Sequence, residues 1–240
     1  MNLPRNRLLV AAAWEPELTR FRELVRTSDV LSSEQADPVQ STGETGVSPV
    51  FATLGVGLVD SAIGTARKMS ELSPSALVFI GTCGGHALPL GSVVVASRVC
   101  LVEPSVVEGR AAFPPPVKLE LDLASHRDRA LHDACEAAGA RSVAVATTLA
   151  VTTDDDLATR LAASGAVEHL EAYAVARACA AADVPCAIVL AVANDVGSRG
   201  REQWKASHEE ASARAAEIAF AAMPAILASL RTSTTPRSPA

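Results

Sequence analysis

Four short stretches hold residues able to do chemistry: Glu15 and Glu17 in "WEPEL", the Gly81–Gly85 run "GTCGG", Glu168 and Glu171 in "VEHLEAYAVA", and Asn194 and Asp195 closing "LAVAND". A carboxylate can serve as a general base, and an amide can both donate and accept hydrogen bonds. Each stretch also has a plainer explanation. Acids around Pro16 suit a helix N-terminus, where they oppose the helix dipole. Glu168 and Glu171 are spaced i, i+3 at the head of a helix so apolar that it should be buried. A carboxylate there needs a partner, and a ligand is one candidate. Side chains alternate along a strand, so only one of Asn194 and Asp195 should face a site.

The glycine runs exclude two phosphate motifs. "GTCGG" lacks the lysine of a Walker loop. "GVGLVD" places Asp60 where a dinucleotide fingerprint needs its third glycine, so tight helix packing or close backbone approach explains Gly55 and Gly57 better. Cys83 could be a nucleophile only with a base beside it. Between glycines it reads as a small apolar residue.

These stretches need elements to hold them. Short apolar runs at 7–13, 49–55, 76–81, 92–102, 142–151 and 186–194 read as buried strands. Helical patterns fill 16–27, 58–72, 125–139, 154–164, 170–183 and 203–230. Alternation of the two predicts a three-layer α/β/α fold, with a central mixed, mostly parallel twisted sheet flanked by helices. Asp154 should cap the helix after it, and Gly139 should stop the one before it. Residues 28–49 read as a hairpin or loose excursion. "FPPP" at 113–116 makes 103–118 a loop or flap. Residues 1–230 read as one domain, and the polar 231–240 as a disordered tail. In such sheets ligands collect at the carboxyl ends of strands, where three of the four stretches fall, while "VEHLEAYAVA" opens a helix.

Bulk composition narrows the partners. A net charge of −6 gives no basic footprint for nucleic acid, and 3% aromatic residues offer little for stacking on bases. Five scattered cysteines in no C-x-x-C pair argue against zinc and against a disulfide framework, and suit a reducing cytoplasm. "RNRLLVAAAW" weakly imitates a signal peptide, but Glu15 and Glu17 follow at once, and Arg7–Ala13 reads as a first strand. No run approaches the roughly 20 apolar residues that span a bilayer, so neither nucleic acid nor membrane is an expected partner.

In this order the pieces resemble the nucleoside phosphorylase/nucleosidase family, over roughly residues 7–228. "VFIGTCGGHALPLGSVVVA", the Glu-x-Glu after the first strand, and "HLEAYAVARACAAADVPCAIVLAVAND" carry the resemblance. The family contains purine nucleoside phosphorylases, methylthioadenosine/S-adenosylhomocysteine nucleosidases and futalosine hydrolases. The resemblance implies that Glu17 activates water, Glu171 holds the ribose hydroxyls, Leu170 lies under the sugar, and Thr82 is the hydroxyl of the glycine turn. Cys83 and Gly84 would bring backbone to the nucleoside. Asn194 or Asp195 would read the purine, and Phe113, Trp14 and Trp204 are candidate walls.

Departures from the family pattern bear on the reaction. Phe79 and Leu190 stand where phosphorylases keep arginines, which favours hydrolysis. "NDVGSRGREQW" resembles futalosine hydrolases, whereas "HLEAY" departs from the usual N/E-M-E-G/A. The implied activity is release of hypoxanthine from futalosine, a step of menaquinone synthesis. A methylthioadenosine/adenosylhomocysteine nucleosidase, a phosphate-dependent phosphorylase and a non-catalytic nucleoside binder are alternatives. No cofactor or metal is expected, and the family implies a homodimer or larger homo-oligomer.

Overall fold

The computed structural model describes residues 7–28, 48–125 and 127–233. Eight strands form one sheet: β1 (Arg7–Ala12), β2 (Ser48–Thr53), β3 (Ala76–Gly85), β4 (Val93–Leu101), β5 (Glu120–Asp122), β6 (Arg141–Thr147), β7 (Val167–Glu168) and β8 (Cys186–Asp195). The helices are α1 (Thr19–Thr27), α2 (Leu58–Leu72), α3 (Pro104–Val107), α4 (Arg129–Ala137), α5 (Asp155–Leu161), α6 (Ala172–Ala181) and α7 (Gly200–Ser233), with 3-10 turns at Glu15–Leu18 and Ala162–Ser164.

The sheet is mixed and mostly parallel, as the alternating pattern predicts. β1–β2, β1–β3, β3–β8, β4–β6 and β6–β7 are parallel, while β3–β7, β4–β5 and β4–β8 are antiparallel. The pairings β3–β7–β6–β4–β8–β3 close a ring, so this half of the sheet curls on itself. Period-two alternation divides the core. Leu9 and Ala11 of β1 and Ile188, Leu190 and Val192 of β8 face α2 and α6. Leu8, Val10 and Ala12 of β1 and Ala187 and Val189 of β8 face α1, α4 and α7.

Several boundaries move. The "GTCGG" run is the end of β3 rather than a turn, because β8 pairs with it as far as Gly85↔Asp195, with a register shift between Cys83 and Gly84. β6 stops at Thr147, where its pairing with β4 ends, so Leu149 and Val151 lie in an exposed loop instead of a strand. A short helix, α3, precedes "FPPP" within the expected loop, and two strands too short to show in the pattern, β5 and β7, are added. α7 continues through Ser233, into the stretch expected to be disordered. Residues 234–240 and most of the 28–49 excursion lie outside the described residues. Asp154 caps α5 as predicted, accepting from Leu157 N at 2.7 Å, and Gly139 follows α4 with φ +111°.

By length and composition α7 could cross a membrane. Its apolar side is already used: Ala215, Ala216, Ala219, Met223 and Ile226 are buried against the sheet.

Candidate active site

The site lies where β3 loses one neighbour before it gains the next. β1 pairs with β3 only as far as Ala11↔Phe79, and β7 joins the chain of pairings at Gly84↔Glu168. Between them, Ile80–Cys83 has no strand on that edge. Unpaired main-chain N–H groups at a strand end are what a ligand or a carboxylate can use. Here Thr82 N donates to Glu17 Oε1 at 3.1 Å.

Glu17 reaches this gap because the chain leaves β1 and folds at once into the 3-10 turn begun by Glu15 and Pro16. The two acids separate: Glu15 is exposed and pairs with Arg22, whereas Glu17 is buried. Burial pushes the Glu17 pKa up to about 7, and the nearby Glu171 charge adds to this against the lowering effect of the Thr82 N–H. Its Oε2 is buried with no hydrogen-bond partner among the described residues. Orphaned buried oxygens are uncommon and mark places where a ligand or water belongs.

Glu171 stands at the head of α6 and is buried. Its Oε1 accepts from Gly57 N at 2.6 Å. Gly57 has φ +86°, a backbone state that side chains resist, so the "GVG" run supplies an N–H to a carboxylate more than a hundred residues away. Gly64, one helical stretch later, lets α2 sit directly on the Leu54 carbonyl: a Cβ there would lie 1.9 Å from that oxygen. Tight helix packing therefore explains part of that glycine pattern.

Glu168 behaves differently. Its carboxylate accepts from Thr152 N at 3.0 Å and Thr152 Oγ1 at 2.5 Å, tying the 148–154 loop to β7. The need for a partner is met within the protein.

His169 is the residue that sequence reasoning passed over. It is buried, packs edge-on against Phe79 at 5.6 Å between ring centroids, and its Nδ1 accepts from Glu171 N at 3.2 Å and Ala172 N at 3.1 Å. Burial holds its pKa below the usual histidine range, with the Glu171 charge opposing. Glu171 Oε2 also lies 3.2 Å from Nδ1. With Nδ1 accepting from the two main-chain N–H groups, the neutral imidazole carries its proton on Nε2, whereas the Glu171 carboxylate contact favours a proton on Nδ1.

These groups line a cavity of about 610 Å³. Of the residues singled out from sequence, Trp14, Glu17, Thr82, Cys83, Gly84, Glu168, Leu170, Glu171, Asn194 and Trp204 line it. Phe113 and Asp195 do not. Asp195 turns to α7: Oδ2 accepts from Arg199 Nη2 and Gln203 Nε2, both at 2.9 Å, and its N donates to Gln203 Oε1 at 2.8 Å. Asn194 Nδ2 donates to the Asp195 carbonyl at 2.7 Å, which leaves its second N–H for another acceptor. The Thr82 hydroxyl takes the Trp204 indole N–H at 3.2 Å. Trp204 in turn stacks on His208 at 4.2 Å. Burial raises the Cys83 thiol far above its usual range and keeps it protonated, against a nucleophilic role. The lining also includes Val56, Val151, Thr153, Gly200 and Arg201, none of which the sequence had singled out as a site residue, although Val56 lies in "GVGLVD" and Gly200 and Arg201 in "NDVGSRGREQW". Arg201 is the one guanidinium among these lining residues, set against three carboxylates.

A family model described as Phosphorylase superfamily matches residues 7–228. The chain belongs to the phosphorylase superfamily. Solved structures with the same fold include a futalosine hydrolase mutant of Helicobacter pylori strain 26695, at 15% identity and TM-score 0.74, covering 91% of this chain and 98% of that one. A 5′-methylthioadenosine/S-adenosylhomocysteine nucleosidase of Neisseria meningitidis, in complex with methylthio-immucillin-A, matches at 21% identity and TM-score 0.72, with the same coverage of 91% and 98%. The corresponding nucleosidase of Helicobacter pylori matches at 14% identity and TM-score 0.72, covering 95% and 98%. In this superfamily fold the cavity sits at the carboxyl ends of β1, β3 and β8, where the sequence had placed its chemistry.

Proposed function

We propose that this protein is a nucleosidase that hydrolyses the N-glycosidic bond of a purine ribonucleoside. The observation that supports this most is Glu17: a buried carboxylate with a pKa near 7, anchored through one oxygen and unpartnered at the other. A base poised near the working pH can take a proton from water as it attacks. Glu171, fixed by Gly57 N, is arranged to accept from the ribose hydroxyls and to offset positive charge developing on the sugar. The three lining carboxylates disfavour a phosphate dianion as nucleophile, and Leu190 and Phe79 are both buried apolar residues.

A 6-oxopurine is the proposed base. Asn194 lines the cavity with an N–H to spare, whereas Asp195 is engaged by Arg199 and Gln203. An amide can donate to the purine N7 or O6 but cannot deliver a proton to it. Among 6-oxopurine nucleosides we favour futalosine, giving hypoxanthine and dehypoxanthinyl futalosine. Likeness of "NDVGSRGREQW" to futalosine hydrolases supports that choice. We further propose that the protein works as a homodimer. Val56, Val59, Ile63, Leu149 and Val151 are each more than half exposed, and Val56 and Val151 edge the cavity. A second copy covering this rim would shield the site from bulk water.

Glu17→Gln tests the reading. Loss of base release by a factor of about 10² or more, with the melting temperature retained, is the expected result. A near-normal rate would remove Glu17 as the water base.

A further inference from the structure

Gly81 lies in the part of β3 that lacks a strand on one edge, and its missing side chain leaves a space between two groups. A Cβ at this position would stand 3.2 Å from Glu17 Oε1 and 3.5 Å from His169 Nε2. Neither carboxylate oxygen of Glu17 is within hydrogen-bond reach of that nitrogen, so the acid and the imidazole face each other across the gap without touching. The space is bounded on one side by Glu17 Oε1, which accepts from Thr82 N and keeps a second lone pair, and on the other by His169 Nε2. In the tautomer that lets Nδ1 accept from the two main-chain N–H groups, the imidazole proton is on Nε2. A water molecule is the smallest group that satisfies both sides.

We infer that His169 is a second catalytic residue, whose Nε2–H holds the attacking water while Glu17 accepts its proton. This rests on the nucleosidase reading above. In the step, the water oxygen accepts from Nε2–H through one lone pair and directs the other at the anomeric carbon. One water hydrogen passes to Glu17 as the new C–O bond forms. The C–N bond breaks, and its electron pair leaves with the purine. His169 stays neutral throughout and exchanges no proton. Orientation of this kind raises rate by positioning and has little effect on ground-state binding.

Two substitutions separate this role from a purely structural one. His169→Asn keeps an acceptor close to the position of Nδ1, and so keeps the cap on Glu171 N and Ala172 N, but removes the far donor. His169→Gln reaches toward the position of Nε2 with an N–H, and sacrifices the cap. On base release from a 6-oxopurine ribonucleoside, His169→Asn should lower kcat by about 10- to 100-fold, with KM and melting temperature close to those of the unmodified protein. His169→Gln should recover most of kcat at a lower melting temperature. A cap-only role gives the opposite order: an active Asn variant and an impaired Gln variant. Gly81→Ala supplies an independent check, because its Cβ would occupy the water space; kcat should fall while nucleoside still binds. Normal turnover in Gly81→Ala or His169→Asn would overturn the inference and leave the nucleosidase reading standing. No base release by the unmodified protein would overturn both.

Discussion

Glu17 shows how burial turns an ordinary acid into a reactive one. Its pKa is raised above the unfolded value of about 4.5, so the folded protein binds more protons than the unfolded chain between there and about pH 7. Stability contributed by this group is therefore present below pH 4.5 and lost as pH rises through 7. Base catalysis has the opposite slope: kcat/KM should climb as pH rises toward 7 and level off above it. Glu17→Gln should thus be inactive yet at least as stable as the unmodified protein at pH 8, checked by thermal melts at pH 5 and pH 8. A clear loss of stability at pH 8 would mean that the carboxylate is structural. At the base end, Asn194→Asp should shift preference from 6-oxo toward 6-amino purines, measured as a ratio of kcat/KM values. An unchanged ratio would remove Asn194 from base reading. The carboxylates and the amide were legible in the sequence because acids at strand ends and helix heads stand out against apolar runs. His169 was not, since a histidine among buried residues carries no periodic signal, and its value lies in which nitrogen the backbone occupies.

Elements position these side chains through a few close approaches. α2 sits on the Leu54 carbonyl only because Gly64 has no Cβ, and its N-terminal Gly57 then reaches Glu171. Gly64→Ala should destabilise the fold by about 1–3 kcal/mol, since the obstructing atom is backbone and cannot turn aside. It should also raise KM by loosening the hold on Glu171. Denaturant melts and steady-state kinetics on one preparation would check both effects, and a fully stable variant would contradict the packing. The apolar runs revealed the six main strands because buried parallel strands need continuous hydrophobic sequence. They could not reveal β7, two residues long, which pairs with Gly84 and Gly85 and so delimits the gap in β3. Nor could they show that "GTCGG" is strand, since glycine propensity favours a turn and the pairing partner β8 lies a hundred residues away.

At the scale of the whole molecule, the cavity has aromatic walls from its own chain, Trp14 and Trp204, and an aliphatic rim that faces outward. Light scattering should show a dimer, and Ile63→Glu should shift it toward monomer with reduced turnover. A monomer that is fully active would remove the partner from the account. Phe113, expected as a wall, lies outside the lining of its own chain's cavity. On the proposed function, water and not phosphate attacks a nucleoside here. The most direct measurement is base release, followed by chromatography, from futalosine, inosine, adenosine, methylthioadenosine and adenosylhomocysteine, each with and without phosphate. Hypoxanthine release that is fastest from futalosine and indifferent to phosphate is the expected result. Release that requires phosphate, or adenine as the preferred product, would contradict it.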